Sequence, residues 1–88
     1  MDKKIIGIIK PFDVYQTFYV YEGDKLKDFE TVSMDDIPKM VFMFMDRYDV
    51  NEVELSGASK EYLKGIANEI QKEEVNKYNK SVLKINII

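Results

Sequence analysis

Few residues in this chain can do chemistry. Its 88 residues include no Cys and no His. That excludes thiol nucleophiles, disulfides, imidazole bases, Ser-His-Asp triads and soft-metal sites together. Carboxylates remain. Asp13, Asp35 and Asp36 could hold a hard cation if the fold brought them together. No spacing rule does so, and acids beside a turn or a helix start serve mainly as solvated caps. The segment with the pattern of a ligand site is Ser56-Gly57-Ala58-Ser59. A strand ending in Gly ahead of a helix leaves free N–H groups that can hold a phosphate or nucleotide. Lys10, at the end of a neighbouring strand, would add positive charge there. Gly-x-Ser before a helix is equally common capping chemistry, and no Walker-type or dinucleotide-binding loop is present. No catalytic residue, metal or cofactor is expected.

The elements that would position these residues are legible from periodicity. Ile5 to Ile9 is apolar at both parities around Gly7, the pattern of a central strand. Lys10-Pro11 ends it. Phe12 to Glu22 alternates, with Phe12, Val14, Gln16, Phe18 and Val20 on one parity and Tyr15, Thr17, Tyr19 and Tyr21 on the other. Gly23-Asp24 turns the chain, and Lys25 to Val32 returns as a more polar edge strand. Ser33 or Asp35 caps a helix that runs to about Tyr48, with Ile37, Val41, Phe44, Met45 and Tyr48 on one face. Glu52 to Ser56 is a short strand with Val53 and Leu55 pointing one way. Ser59 caps a second helix, from about Lys60 to Tyr78, with Leu63, Ile66, Ala67 and Ile70 as its stripe. Glu73 and Lys77 form an i,i+4 pair on it, and Glu69, Glu73 and Glu74 read as a solvated stripe. Val82 to Ile88 closes the chain as a strand with Leu83, Ile85 and Ile87 on one parity.

The expected fold is therefore α/β: a single two-layer sandwich over residues 1–88, in the order β-β-β-α-β-α-β. Strands joined by helices pair in parallel through right-handed crossovers. With the most apolar strand central, the mixed five-stranded sheet takes the order 3-2-1-4-5. Both helices then land on one face.

The opposite face is left bare. Ile6 and Ile8, or else Ile5 and Ile9, must point to it. Tyr15, Thr17, Tyr19 and Tyr21 are expected beside them, with Glu54, Lys84, Asn86 and Ile88 toward the far edge. A contiguous apolar patch with a polar rim marks an interaction site. Alternatively the Tyr rings lie over the Ile side chains and shield them, or the face stacks single-stranded nucleic acid. Few Lys residues lie near it, Arg47 is the only Arg, and net charge is −3. Nucleic acid is accordingly not an expected partner. Phe42 and Met43 belong to a helix apolar all round, Met40 to Met45. They serve either as an adaptable protein-binding surface or as a second buried face.

The strand-helix order, together with Ile6-Gly7-Ile8-Ile9-Lys10-Pro11, resembles the ribonuclease H-like superfamily of nucleases, resolvases and actin-like ATPases. In its nucleases the resemblance implies an Asp after the first Gly-containing strand and a further acid at the end of the fourth. The matching positions here are Ile9 or Lys10, and Ser56-Gly57. Two-metal phosphodiester cleavage is therefore not expected.

The functional expectation is a non-enzymatic interaction or assembly protein. It would act through a protein partner or a second copy, on the open face or on the apolar edge strand ending at Ile88. Small size, a Lys, Ile and Asn bias and a fold without catalytic residues suggest a bacteriophage accessory or virion-associated subunit. The alternatives are a phosphate or nucleotide site at Lys10, Ser56, Gly57 and Ser59, and a single-strand binder on the Tyr face. No stretch is long enough to span a bilayer. The apolar stretch after Lys4 lacks a small-residue cleavage site, so a cytoplasmic protein (or virion component) is expected.

Overall fold

The parity of each strand decides its two faces. The computed structural model describes residues 2–88. Its elements are β1 (Lys3–Ile8), β2 (Tyr15–Glu22), β3 (Lys25–Ser33), a 3-10 turn (Met34–Asp36), α1 (Ile37–Tyr48), β4 (Glu52–Ser56), α2 (Lys60–Tyr78) and β5 (Lys84–Ile87). The sheet order is β3-β2-β1-β4-β5. β1 pairs antiparallel with β2 and β2 with β3, while β1–β4 and β4–β5 are parallel. This is the expected topology, with α1 and α2 packed on one side.

The covered face carries Ile5, Phe18, Val20, Val53 and Leu55, each with no exposed surface. They pack beneath Ile37, Val41 and Phe44 of α1 and Leu63 and Ile70 of α2. Gly7 shares this parity for a packing reason. A Cβ on it would sit 2.4 Å from the Phe18 ring, which crosses the bare backbone.

β1 and β3 end within two residues of expectation, and three other boundaries differ for a physical reason. β2 starts at Tyr15, not Phe12, because Gln16 organises the preceding loop. This side chain is buried. Its amide nitrogen donates to the Lys10 (2.7 Å) and Asp13 (3.0 Å) carbonyls, and its oxygen accepts from the Lys10 N–H at 2.8 Å. Residues 9–14 thus turn instead of extending. β5 starts at Lys84, where its N–H reaches the Asn51 carbonyl at 2.8 Å. α1 takes Asp36 as its N-cap, without a side-chain bond, and Ser33 precedes the 3-10 turn instead.

Both helices stop at a left-handed residue, Asp49 after α1 (φ 53°) and Asn79 after α2 (φ 63°). Asn and Asp tolerate that conformation better than most residues. The Glu69, Glu73, Glu74 stripe requires a correction. Glu74 is fully buried. Its carboxylate accepts from Ser81 Oγ (3.1 Å) and from the N–H groups of Val82 and Leu83 (both 3.0 Å). It fixes the segment that delivers β5 to the sheet edge.

Candidate functional site

The open face is built by the other parity of the same strands. From β2 it takes Tyr15, Thr17, Tyr19 and Tyr21. These pair with Ser33, Thr31, Phe29 and Leu26 of β3 across an irregularity at Val20/Tyr21. β1 contributes Lys4, Ile6 and Ile8, so the pair on this side is Ile6 and Ile8, with Ile5 and Ile9 buried opposite. Glu52, Glu54 and Ser56 follow on β4, then Lys84 and Asn86 on β5. Ile88 lies just past β5, its N–H bonded to the Leu55 carbonyl at 2.9 Å.

This face has two halves. Toward β4 and β5 it is polar and internally paired. Lys4 Nζ lies 2.8 Å from Glu54 and 4.0 Å from Glu52, and Asn86 donates to Glu52 at 3.2 Å. The bond to Glu54, and then its charge, hold the Lys4 ammonium above its usual pKa range. Toward β2 and β3 the face is aromatic and aliphatic. Tyr19 and Phe29 tilt against each other with ring centroids 6.4 Å apart. Thr17 and Thr31 share a 2.8 Å hydrogen bond between them. Tyr15 (64%), Phe29 (59%), Ile8 (49%) and Leu26 (49%) stay substantially exposed around the half-buried Tyr19, Tyr21 and Ile6. The Tyr rings do not shield Ile8.

Four apolar residues of this region escaped the sequence reading. Phe29 and Leu26 sit in a strand whose Lys25, Lys27, Asp28 and Glu30 make it read as polar, and the irregularity breaks its alternation. Phe12 is fully exposed and Val14 is 72% exposed. Both lie in the β1–β2 loop, next to the end of the sheet where Ile8 and Tyr15 are found. Their apolar character suggested a strand, but the Gln16-bonded loop turns them outward.

Phe42 is corrected. It is 4% exposed, packs edge-on against Tyr78 at 5.6 Å, and lies under the Lys77 ammonium at 5.4 Å. Met43 is half-buried against the core. The apolar run of α1 therefore buries a second side against α2, and Phe42 offers no free surface.

The Lys10–Ser59 region comes together as a backbone junction. The Ile9 N–H donates to the Ser56 carbonyl at 2.7 Å. Gly57 adopts φ +94°, and a Cβ there would lie 2.5 Å from the Ile9 carbonyl, so only Gly fits. Ser59 Oγ accepts from the Tyr62 N–H at 3.2 Å, and Glu61 stands in the first turn of α2. A side chain thus occupies one of the free N–H groups, and an acid opposes an incoming anion. Lys10 is exposed beside this junction. Asp13, Asp35 and Asp36 do not converge: among the described residues no group of three or more acids is arranged to hold a metal ion. No helix among those residues is long and apolar enough to cross a membrane.

At the β3 edge, Asp28 faces the helices and binds the end of α1. Its carboxylate accepts from the Tyr48 hydroxyl (2.6 Å) and from Arg47 (3.2 Å). The Tyr48 bond is the main reason the Asp28 carboxyl is held below its usual pKa range. In turn, Tyr48 is raised.

No family model and no curated protein matches the chain. Among solved structures it is similar to a Bacteroides thetaiotaomicron protein described as having an actin-like ATPase fold and unknown function. The TM-score is 0.67 at 16% identity, over 99% of this chain and 32% of that one. The chain thus spans about a third of that protein's length. A second structure, that of PH0822, aligns with a TM-score of 0.40 at 15% identity, over 97% of this chain and 77% of that one. The first likeness shows an actin-like ATPase-type fold, and shows the fold alone.

Proposed function

We propose that this chain is a non-enzymatic interaction or assembly domain, and that its open sheet face docks on a second copy of itself. The observation that carries this reading is the continuous apolar surface across three strands: Leu26 and Phe29 on β3, Tyr19 and Tyr21 on β2, Ile6 and Ile8 on β1. Isolated exposed apolar residues are ordinary, but a contiguous patch with a polar border is typical of a contact surface. Charge supports a like partner. In the polar half Lys4 and Lys84 stand against Glu52 and Glu54, so the face shows no single sign that would select an oppositely charged molecule. Such a surface can meet its own copy across a two-fold axis without like-charge repulsion. The absence of acids at Ile9, Lys10 and Ser56-Gly57 supports the non-enzymatic part of the proposal.

Sedimentation equilibrium across a concentration series tests it. The wild-type chain is expected to dimerise. A variant with Ile8→Glu and Phe29→Glu is expected to stay monomeric while melting close to wild type, because both side chains are already half exposed. A wild-type chain that remains monomeric at millimolar concentration would overturn self-association.

A further inference from the structure

A second surface, independent of the sheet face, lies on the other side of the molecule. Between α1 and α2 runs an open groove of about 970 Å³. Its floor includes Phe42 and Ile66, both nearly buried. Along α2 its wall steps through Tyr62, Gly65, Glu69, Glu73 and Asn76, the spacing of one helical face. That wall is about 21 Å long at 1.5 Å per residue, enough to seat four turns of another helix.

Two features give the groove a preferred occupant. The first is charge. Asp35, Asp36, Glu61, Glu69 and Glu73 line it against Lys39 and Lys77. Among the described residues none of these five acids forms an ion pair. The expected Glu73–Lys77 pair does not form, because Lys77 is turned toward the Phe42 and Tyr78 rings, 5.4 and 5.3 Å from their centroids. The second is Gly65, an exposed glycine in the interior of a 19-residue helix. Gly there costs about 1 kcal/mol relative to Ala. The chain's own packing does not require it: a Cβ on Gly65 would meet no atom within 4 Å. Gly65 instead leaves a stretch of bare backbone on the groove wall, which another backbone can approach closely.

We propose that the α1–α2 groove binds a basic amphipathic helix of another protein. The apolar stripe of that helix would lie over Pro38, Tyr62 and Gly65, the accessible apolar part of the lining, and its Lys or Arg residues would face Glu61, Glu69 and Glu73. The recognition is helix-in-groove, with anchors at helical spacing. Opposite charges would steer the encounter and set the sign of the partner.

The test uses two synthetic 18-residue helical peptides of identical apolar stripe, one with Lys and one with Glu on its polar face. Binding is followed by fluorescence anisotropy and located by amide chemical-shift mapping on the intact chain. Gly65→Leu fills the groove with a strong helix former that has open space around it, so the variant is expected to melt at or above the wild-type temperature. The wild-type chain is expected to bind the Lys peptide, with shifts confined to α1 and α2, and not the Glu peptide. Gly65→Leu is expected to weaken that binding about tenfold or more, as blocking a central contact does. The charge reversal Glu69→Lys with Glu73→Lys is expected to shift preference toward the Glu peptide. Unchanged affinity in Gly65→Leu, equal binding of both peptides, or shifts centred on Tyr19 and Phe29 would each overturn the proposal.

Discussion

Phe18 and Tyr19 are neighbours on β2 and meet opposite environments. Phe18 lies beneath the helices, across the bare backbone of Gly7, with no exposed surface. Tyr19 points to the other side, where it finds Phe29 and solvent. The same holds along β1 for Ile5 and Ile6. The covered face is closed by side chains from two helices, whereas described residues of this chain place no third layer over the open one. Both faces are apolar at their centre. What separates them is coverage, and the two crossovers decide coverage by landing on the same side.

Paired substitution gives the largest expected contrast. Phe18→Ala removes a fully buried ring and is expected to cost about 3–5 kcal/mol, the range for large aromatic truncations in cores. Tyr19→Ala removes a half-buried ring next door and is expected to cost about 1 kcal/mol or less in the monomer. Urea denaturation of the two variants measures both. Comparable losses would mean that the open face is structural core.

Glu74→Ala is next in size. It leaves the Val82 and Leu83 N–H groups without their acceptor, and each unsatisfied buried donor costs about 1–3 kcal/mol. An overall loss of about 2–4 kcal/mol is expected. Hydrogen exchange should show β5 opening ahead of β1 and β4. Uniform loss of protection across all five strands would count against a local anchor.

Gly7→Ala probes the close approach on the covered face. The added methyl would meet the Phe18 ring at 2.4 Å. Since the ring is locked among buried neighbours, an overpacking cost of about 1–3 kcal/mol is expected. An increase in melting temperature would show that the ring can move aside.

These contrasts also mark what the sequence can reveal. Strand parity was readable because it is a local pattern. Phe18, Val53 and Leu55 went to one side and Tyr15, Thr17, Tyr19 and Tyr21 to the other as alternation requires, whereas β1 is apolar at both parities and its pattern left Ile5 and Ile6 interchangeable. Topology followed from crossover handedness. Three side chains resisted for a shared reason: their roles depend on partners distant from their own pattern. Gln16 occupies an apolar parity but serves a loop. Glu74 sits beside exposed Glu73 and reads as solvated, although its partners lie seven to nine residues onward. Phe29 is displaced in apparent phase by the irregularity opposite Val20/Tyr21, which no periodicity count on β3 alone can detect.

The smallest expected effect sharpens the comparison at the sheet edge, where Asp28 and Phe29 split between the two faces. Asp28 faces the helices and accepts from Tyr48 and Arg47, while Phe29 faces the open side. The folded state holds the Asp28 carboxyl below its ordinary value of 3.8. A carboxyl lowered on folding binds its proton more readily when unfolded. Its contribution to stability is therefore present above that ordinary value and disappears as pH falls through the lower, folded value. Because the group is at the surface, solvent screening keeps the effect small. Asp28→Asn is expected to lower the urea midpoint slightly at pH 6, with the gap to wild type narrowing as the pH is brought below 3.8. Phe29→Ala, one residue away on the opposite face, should show no such convergence. If its gap to wild type closed with acid in the same way, the Asp28–Tyr48 bond would not be what fastens β3 to α1.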